Sequence, residues 1–157
     1  MNALEDIVET YLRQVITCPF VDRNIFTGEN NGEVDAIGII MKPQKVIIVE
    51  AAAGKNLYGK DTVKKIREKF RRAIKHVKAQ DHLENFGITL EFWAPHISDI
   101  KKKQLEEQKV STKRLKVIDH DLIVERLSEI QKVTKGLDVK TLDGVSQLLR
   151  LLPEIKT

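Results

Sequence analysis

The sequence predicts an α/β fold in which a mixed sheet is flanked by helices, and three observations carry that prediction. Two apolar segments, Glu33 to Met41 and Lys45 to Ala51, are joined only by Lys42-Pro43-Gln44, a link short enough to make the two strands antiparallel neighbours. A long amphipathic helix follows them and leads into another apolar strand, as a crossover connection requires. The whole chain reads α-β-β-β-α-β-α-β-α-α, an order that implies antiparallel strands early and the crossover later. At 157 residues it fits one domain over 1–157, able to bury a core without staples. Its C-terminal helices are expected from about residue 121.

Each element has its own warrant. Leu4, Ile7, Val8, Tyr11, Leu12, Val15 and Ile16 recur at helical spacing, and Pro19 ends that first helix. Val21 to Phe26 reads as a short strand, followed by the turn-rich Thr27-Gly28-Glu29-Asn30-Asn31-Gly32. Val46-Ile47-Ile48-Val49 has the unbroken apolar character of a central strand buried on both faces. Gly54 and Gly59 bracket a loop, after which Val63, Ile66, Phe70, Ala73, Ile74 and Val77 form the second helical stripe. Gly87 introduces a strand from Ile88 to Trp93 that stops at Pro95. Ser98 can cap a charged helix through about Gln108, and Leu115 to Ile118 forms a last short strand. Asp119 or Asp121 then caps a helix carrying Leu122, Leu127 and Ile130, and a final helix is expected from about Leu142 to Leu152.

Composition narrows the function classes. The chain is 41% hydrophobic and 32% charged, the balance of a soluble globular protein, and no apolar run approaches the ~20 residues of a membrane span. The first residues, Met1 to Asp6, carry acids where a signal peptide has a basic region, so a cytoplasmic location is expected. Cys18 is the lone cysteine; it has no partner for an internal disulfide or a zinc cluster and reads as a small hydrophobe. His76, His82, His96 and His120 show no metal-ligand spacing, and Trp93 in a strand reads as core. The net charge of +4 fits a polyanionic partner without requiring one.

The chemistry resides in two acids at strand ends. In Gly32-Glu33-Val34-Asp35-Ala36-Ile37 and Lys45-Val46-Ile47-Ile48-Val49-Glu50-Ala51-Ala52 each strand carries an acid near one end. Antiparallel pairing brings Asp35 and Glu50 to the same edge of the hairpin. Paired carboxylates there suit a hard divalent cation such as Mg²⁺, or Mn²⁺, which keeps several waters and can contact a phosphate. The reaction that follows is metal-assisted phosphodiester hydrolysis.

With Leu4-Glu5-Asp6-Ile7-Val8, these segments make the first half of the chain resemble the PD-(D/E)XK nuclease superfamily, especially its archaeal Holliday-junction resolvase and Mrr-like branch. The resemblance implies a restriction-endonuclease-like mixed central sheet flanked by helices. It implies that Asp35 and Glu50 bind the metal with the main-chain carbonyl of Ala51, that Glu5 is the accessory acid, and that Glu9 can substitute for it. DNA is the implied partner.

One position departs from the pattern. The family usually has lysine two residues after the second acid, because period-two alternation puts both side chains on one side of the strand. Its ammonium can orient the attacking water and offset charge developing on phosphate. Here that residue is Ala52. Three explanations stand: an engineered lysine-to-alanine change, a lysine that has moved to Lys55 or Lys60, or a domain that has lost catalysis. The reading adopted is a nuclease impaired in its present form, with Glu5, Asp35, Glu50, position 52 and Lys55 as the catalytic set.

From Lys60 to Lys78 the chain places Lys60, Lys64, Lys65, Arg67, Lys69, Arg71, Arg72, Lys75 and Lys78 against only Asp61 and Glu68. Such a helix, with Lys55 before it, can track a phosphate backbone through Lys60, Lys64, Arg67, Arg71 and Lys75. Lys101, Lys102, Lys103, Lys113 and Arg114 can extend the patch. Nothing resembles a base-reading module, so backbone or shape is the expected object of recognition.

Blander readings apply to the same residues. Glu5 lies three positions after Asn2, the spacing of a capping box. Glu33 fits a surface acid at a loop edge, and a basic helix face is often simply solvated. The stripe Val145, Leu148, Leu149 and Leu152 packs on the sheet or, if exposed, makes a homodimer contact. The rival function is a non-catalytic nucleic-acid-binding or assembly subunit retaining the fold. A third is an α/β domain that binds neither metal nor DNA.

Overall fold

The computed structural model describes residues 2–28, 32–54, 59–137 and 144–146. Six strands form one mixed sheet in the order β1-β2-β3-β4-β6-β5. β1 (Phe20–Phe26), β2 (Glu33–Ile40) and β3 (Lys45–Ala51) are antiparallel neighbours. β4 (Gly87–Trp93) lies parallel to β3, and β6 (Lys113–Ile118) lies parallel to β4. The two-residue β5 (Lys109–Val110) closes the far edge as an antiparallel partner of β6.

Helices cover both faces. On one side lie α2 (Thr62–Lys78) and α3 (Asp99–Glu107), contributing Ile66, Phe70, Ala73, Ile74, Val77 and Leu105 to a core with Val46, Ile48, Leu90 and Phe92. On the other lie α1 (Ala3–Thr10) and α4 (His120–Thr134), packed on Ala36, Ile47, Val49, Trp93 and Ile118. β3 feeds both cores, which explains its unbroken run of apolar residues: Val46, Ile48 and Val49 are wholly buried.

Local chemistry sets the helix ends. The Asn2 side chain accepts the Leu4 N–H at 3.1 Å to start α1, and Ser98 caps α3. Asp119 rather than Asp121 caps α4, accepting the Leu122 N–H at 3.2 Å. α2 lacks a side-chain cap at Asp61, but Lys75, His76 and Lys78 occupy its last turn, where cations favour the helix dipole.

Three expectations are corrected. The first helix does not run as one α-helix to Ile16: a π-helical turn occupies Tyr11–Val15, and the Ile16 N–H bonds the Tyr11 carbonyl at 3.1 Å. Thr10, Tyr11 and Leu12 are buried in succession, more than a narrow α-helical stripe could supply. Leu12 reaches the sheet beside Gly38, while Tyr11 lies under Arg126 of α4. α3 ends at Glu107 rather than Gln108, because Lys109 and Val110 enter β5, a strand too short to leave a periodic signal. β2 ends at Ile40, and Met41 opens the turn to β3. Of the helix expected over 142–152, Gly144 to Ser146 are helical, with Val145 packed against the α1 and α4 core; the rest lies outside the described residues. No described helix is long and apolar enough to cross a membrane.

Candidate metal and phosphodiester site

The pairing of β2 with β3 runs from Ile40–Lys45 to Ala36–Val49. Asp35 and Glu50 are the next residues on each strand, so the antiparallel register sets them side by side at one end of the two strands. There the alternation of β2 breaks. Val34 packs on the α2 side, yet Ala36, two residues on, packs on the α1 side. The neighbouring strand breaks at the same level: Asn24, between the Arg23–Ala36 and Ile25–Val34 pairs, has φ 52°. Val21 faces the α1 core and Ile25 the α2 core as a result. Asp35 thus turns along the sheet edge, where its Oδ2 accepts the Ala51 N–H at 2.6 Å.

Glu50 keeps the alternation of β3 and faces α2. It is only 7% exposed, and Lys69 of α2 forms an ion pair with its Oε1. Its Oε2 is buried and has no hydrogen-bond partner among the described residues. Burial pushes the Glu50 carboxyl from 4.5 up to about 7; the Asp35 charge pushes the same way and Lys69 opposes both. Burial also raises the half-buried Asp35 above the usual carboxylate range, against the Ala51 N–H and Lys69.

The other expected residues divide. Glu5 is close enough for its charge to raise both acids, but its Oε2 accepts from Arg23 Nη2 at 3.3 Å. Arg23 also binds Asp6 at 2.7 Å and Glu9 at 3.1 Å, and Glu9 holds Arg13 at 2.8 Å. Glu5 and Glu9 are therefore engaged in an arginine network. Among the described residues no set of three or more His, Cys, Asp or Glu groups is placed to hold a metal. Glu33 is exposed and acts on Asp35 only through its charge. Ala52 lies on the α2 side of the sheet, as the alternation from Glu50 requires, and packs against that core. Lys55 lies outside the described residues, and Lys60 is exposed in the turn before α2. The cation at Glu50 is Lys69, which sequence reasoning counted only as one member of a basic helix. Its signal is weak: Lys65, Lys69, Arg72 and His76 share a stripe beside the apolar face of α2, but nothing local says which of them meets an acid.

The acid pair offers hard oxygen donors and one orphaned buried oxygen. That donor set fits Mg²⁺ or Mn²⁺ held by two carboxylates with most ligands left to water, and does not fit a zinc cluster.

The basic helix is also sorted by the fold. Lys64, Arg71 and Lys75 are exposed. Arg67 instead turns inward to β5, donating to the Lys109 carbonyl at 3.1 Å, and Arg71 binds Glu68 at 2.7 Å. A surface cavity is walled by Arg71, Arg72, Lys75 and Lys78, with Ser111 of the β5–β6 turn opposite. An adjoining one shares Arg72 and Lys75 and reaches Thr27 and Gly28. Arg72 packs over the entry to β2, so close that a Cβ on Gly32 would lie 2.8 Å from its Nε. Lys102 and Lys103 are engaged locally, with Asp119 at 2.5 Å and Glu107 at 3.8 Å. The chain matches no protein-family model, and it matches no curated protein and no solved structure.

Proposed function

We propose that this chain is a divalent-metal-dependent, DNA endonuclease-like domain with the restriction-endonuclease-like fold of the PD-(D/E)XK superfamily, impaired by the alanine at position 52. The observation that carries the reading is the Asp35–Glu50 pair, half-buried at Asp35 and buried at Glu50, with one Glu50 oxygen left without a partner among the described residues. Two carboxylates in so dry a place are costly unless a cation joins them. A polar atom orphaned in a native fold calls for an ion, a water or a catalytic role.

In this reading Asp35 and Glu50 hold Mg²⁺ or Mn²⁺ at the edge of β2 and β3. The metal, when bound, supplies an activated water and neutralises charge on the phosphoryl oxygens. The Ala51 N–H orients Asp35. Lys69 brings a cation to Glu50 from the helix, but it is engaged by that acid and leaves position 52 on the strand without a lysine. The cavities along Arg71, Arg72, Lys75 and Lys78 would receive the phosphate backbone.

One observation favours the rival reading, a non-catalytic nucleic-acid-binding or assembly subunit: Glu50 is already neutralised by Lys69, and Ala52 offers no second ammonium. A cleavage assay separates the two. Linear, branched and supercoiled DNA are incubated with Mg²⁺ or Mn²⁺ and the chain as it stands, Ala52→Lys, Asp35→Ala or Glu50→Ala. The nuclease reading expects cutting that rises with Ala52→Lys and disappears with either acid. Salt-sensitive DNA binding indifferent to Asp35→Ala and Glu50→Ala, with no cutting by any form, selects the rival.

A further inference from the structure

We propose that Lys69 is an internal counter-cation exchanged for the divalent ion: it holds Glu50 while the acid pair is empty and is released toward the substrate when metal enters. This inference rests on the nuclease reading and adds to it how the site is kept and loaded.

The sheet provides its own comparison. Glu91 on β4 is as buried as Glu50 (8% against 7% exposed), but both its oxygens are taken. Arg126 of α4 binds them in parallel at 2.9 and 3.0 Å, and the Trp93 Nε1–H adds a third bond at 3.1 Å. A planar guanidinium fills a carboxylate in this way; an ammonium is a compact charge with three rotatable donors and no planar fork to take both oxygens in parallel. At Glu50 the ammonium sits on Oε1, and Oε2 is left without a partner among the described residues. Glu91 is closed on both oxygens, and Glu50, near the end of β3, is left half open.

Mobility is divided in the same sense. The Glu50 side chain is 9% exposed and fixed in β3, whereas the Lys69 side chain is 35% exposed. Its flexible stem lets it swing into solvent without moving the helix. Charge supplies the drive. With both carboxyls ionised, two carboxylates and one ammonium sum to −1; a divalent ion added to them makes +1, and in a dry site the two cations repel. Departure of Lys69 into solvent would remove that repulsion and free its ammonium for an anionic substrate.

The experiment measures metal affinity by Mn²⁺ electron paramagnetic resonance on the full chain, stripped of metal and held at one pH. It compares the unmodified chain with Lys69→Met, Lys69→Arg and Asp35→Asn. Exchange predicts that Lys69→Met binds Mn²⁺ roughly fivefold or more tightly than the unmodified chain, the lower range of coupling between competing ligands. Lys69→Arg, able to close both Glu50 oxygens, binds more weakly. A lysine that only supports the fold would leave affinity unchanged or lower in Lys69→Met, and that result overturns the proposal. If Lys69→Met does not fold, as judged by circular dichroism, ¹³C-labelled lysine NMR of the unmodified chain decides. The Lys69 signal must move as Mg²⁺ saturates, and a stationary signal with Mg²⁺ bound overturns the exchange. Absence of Mn²⁺ binding in every form removes the metal-site reading itself. Equal binding by the unmodified chain and Lys69→Met removes only the exchange.

Discussion

Glu50 and Glu91 stand on neighbouring parallel strands, one register step apart, and face opposite sides of the sheet. Glu91 pairs in register with Val49; it points to α4 and Arg126, while Glu50 points to α2 and Lys69. Each is a buried acid met by a cation from a helix. They differ in completeness of partnering: both Glu91 oxygens are bonded, and one Glu50 oxygen has no partner among the described residues.

The structural pair predicts a large loss on truncation. The Arg126 guanidinium also stacks 4.2 Å above the Tyr11 ring and 4.7 Å from the Trp93 ring, and these rings meet edge to face at 5.7 Å. Arg126→Ala leaves Glu91 charged and buried, so it should cost about 3–5 kcal/mol in urea unfolding. Arg126→Met combined with Glu91→Gln should cost clearly less, since no orphaned charge remains. Equal losses would show that the pair is not the source of the stability.

The acid pair predicts an unusual pH dependence. In metal-free buffer the Glu50 carboxyl is held at about 7 in the folded chain against 4.5 when unfolded. Between those values the folded chain keeps a proton that the unfolded chain has lost, so stability falls as pH rises through the window. At about 1.4 kcal/mol per pH unit, the drop is on the order of 3 kcal/mol, and the raised Asp35 adds in the same direction. Urea midpoints at pH 5 and pH 7.5 in EDTA test this. Glu50→Gln should flatten most of the slope; an unchanged slope in that variant refutes the assignment.

Gly38 predicts a steric effect. A Cβ there would meet Cys18 Sγ at 2.9 Å and both Leu12 methyl carbons at 3.4 Å. The glycine lets the π-helical turn lie close to β2, so Gly38→Val should destabilise by about 1–3 kcal/mol. Cys18→Ala should recover part of that loss in thermal unfolding. A neutral Gly38→Val would mean that the turn yields freely.

The cationic cavities predict salt-dependent binding. Removing Arg71, Lys75 and Lys78 together should weaken binding to a DNA duplex and lower the slope of log K against log salt by about 0.9 for each phosphate no longer neutralised. Lys102→Ala and Lys103→Ala, whose charges are engaged by Asp119 and Glu107, should change binding far less. Fluorescence anisotropy across a salt series distinguishes these outcomes, and equal effects from both sets would deny the cavities a special role.

The π-helical turn shows where sequence reading stops. Leu4 to Ile16 has a helical stripe, and α1 forms where that stripe begins. The i+5 bond that widens it depends on α4 and β2 being present to receive Tyr11 and Leu12 on different sides. The break of alternation at Asp35 is of the same kind. In sequence Val34, Asp35 and Ala36 read as an ordinary strand; only pairing with β1 and β3 turns the carboxylate to the Ala51 amide.

By itself the sequence determined the local and the adjacent: apolar periods, capping residues, and a link short enough to bring Asp35 and Glu50 to one edge. These depend on neighbours within a few residues, and they reappear as α1 to α4, β1 to β4 and β6. Tertiary structure alone decided which cation meets which acid. Lys69 is 19 residues from Glu50 and Arg126 is 35 from Glu91. The facing of α2 and α4 on the sheet, a property of the packed core, selects these from the many cations of the chain.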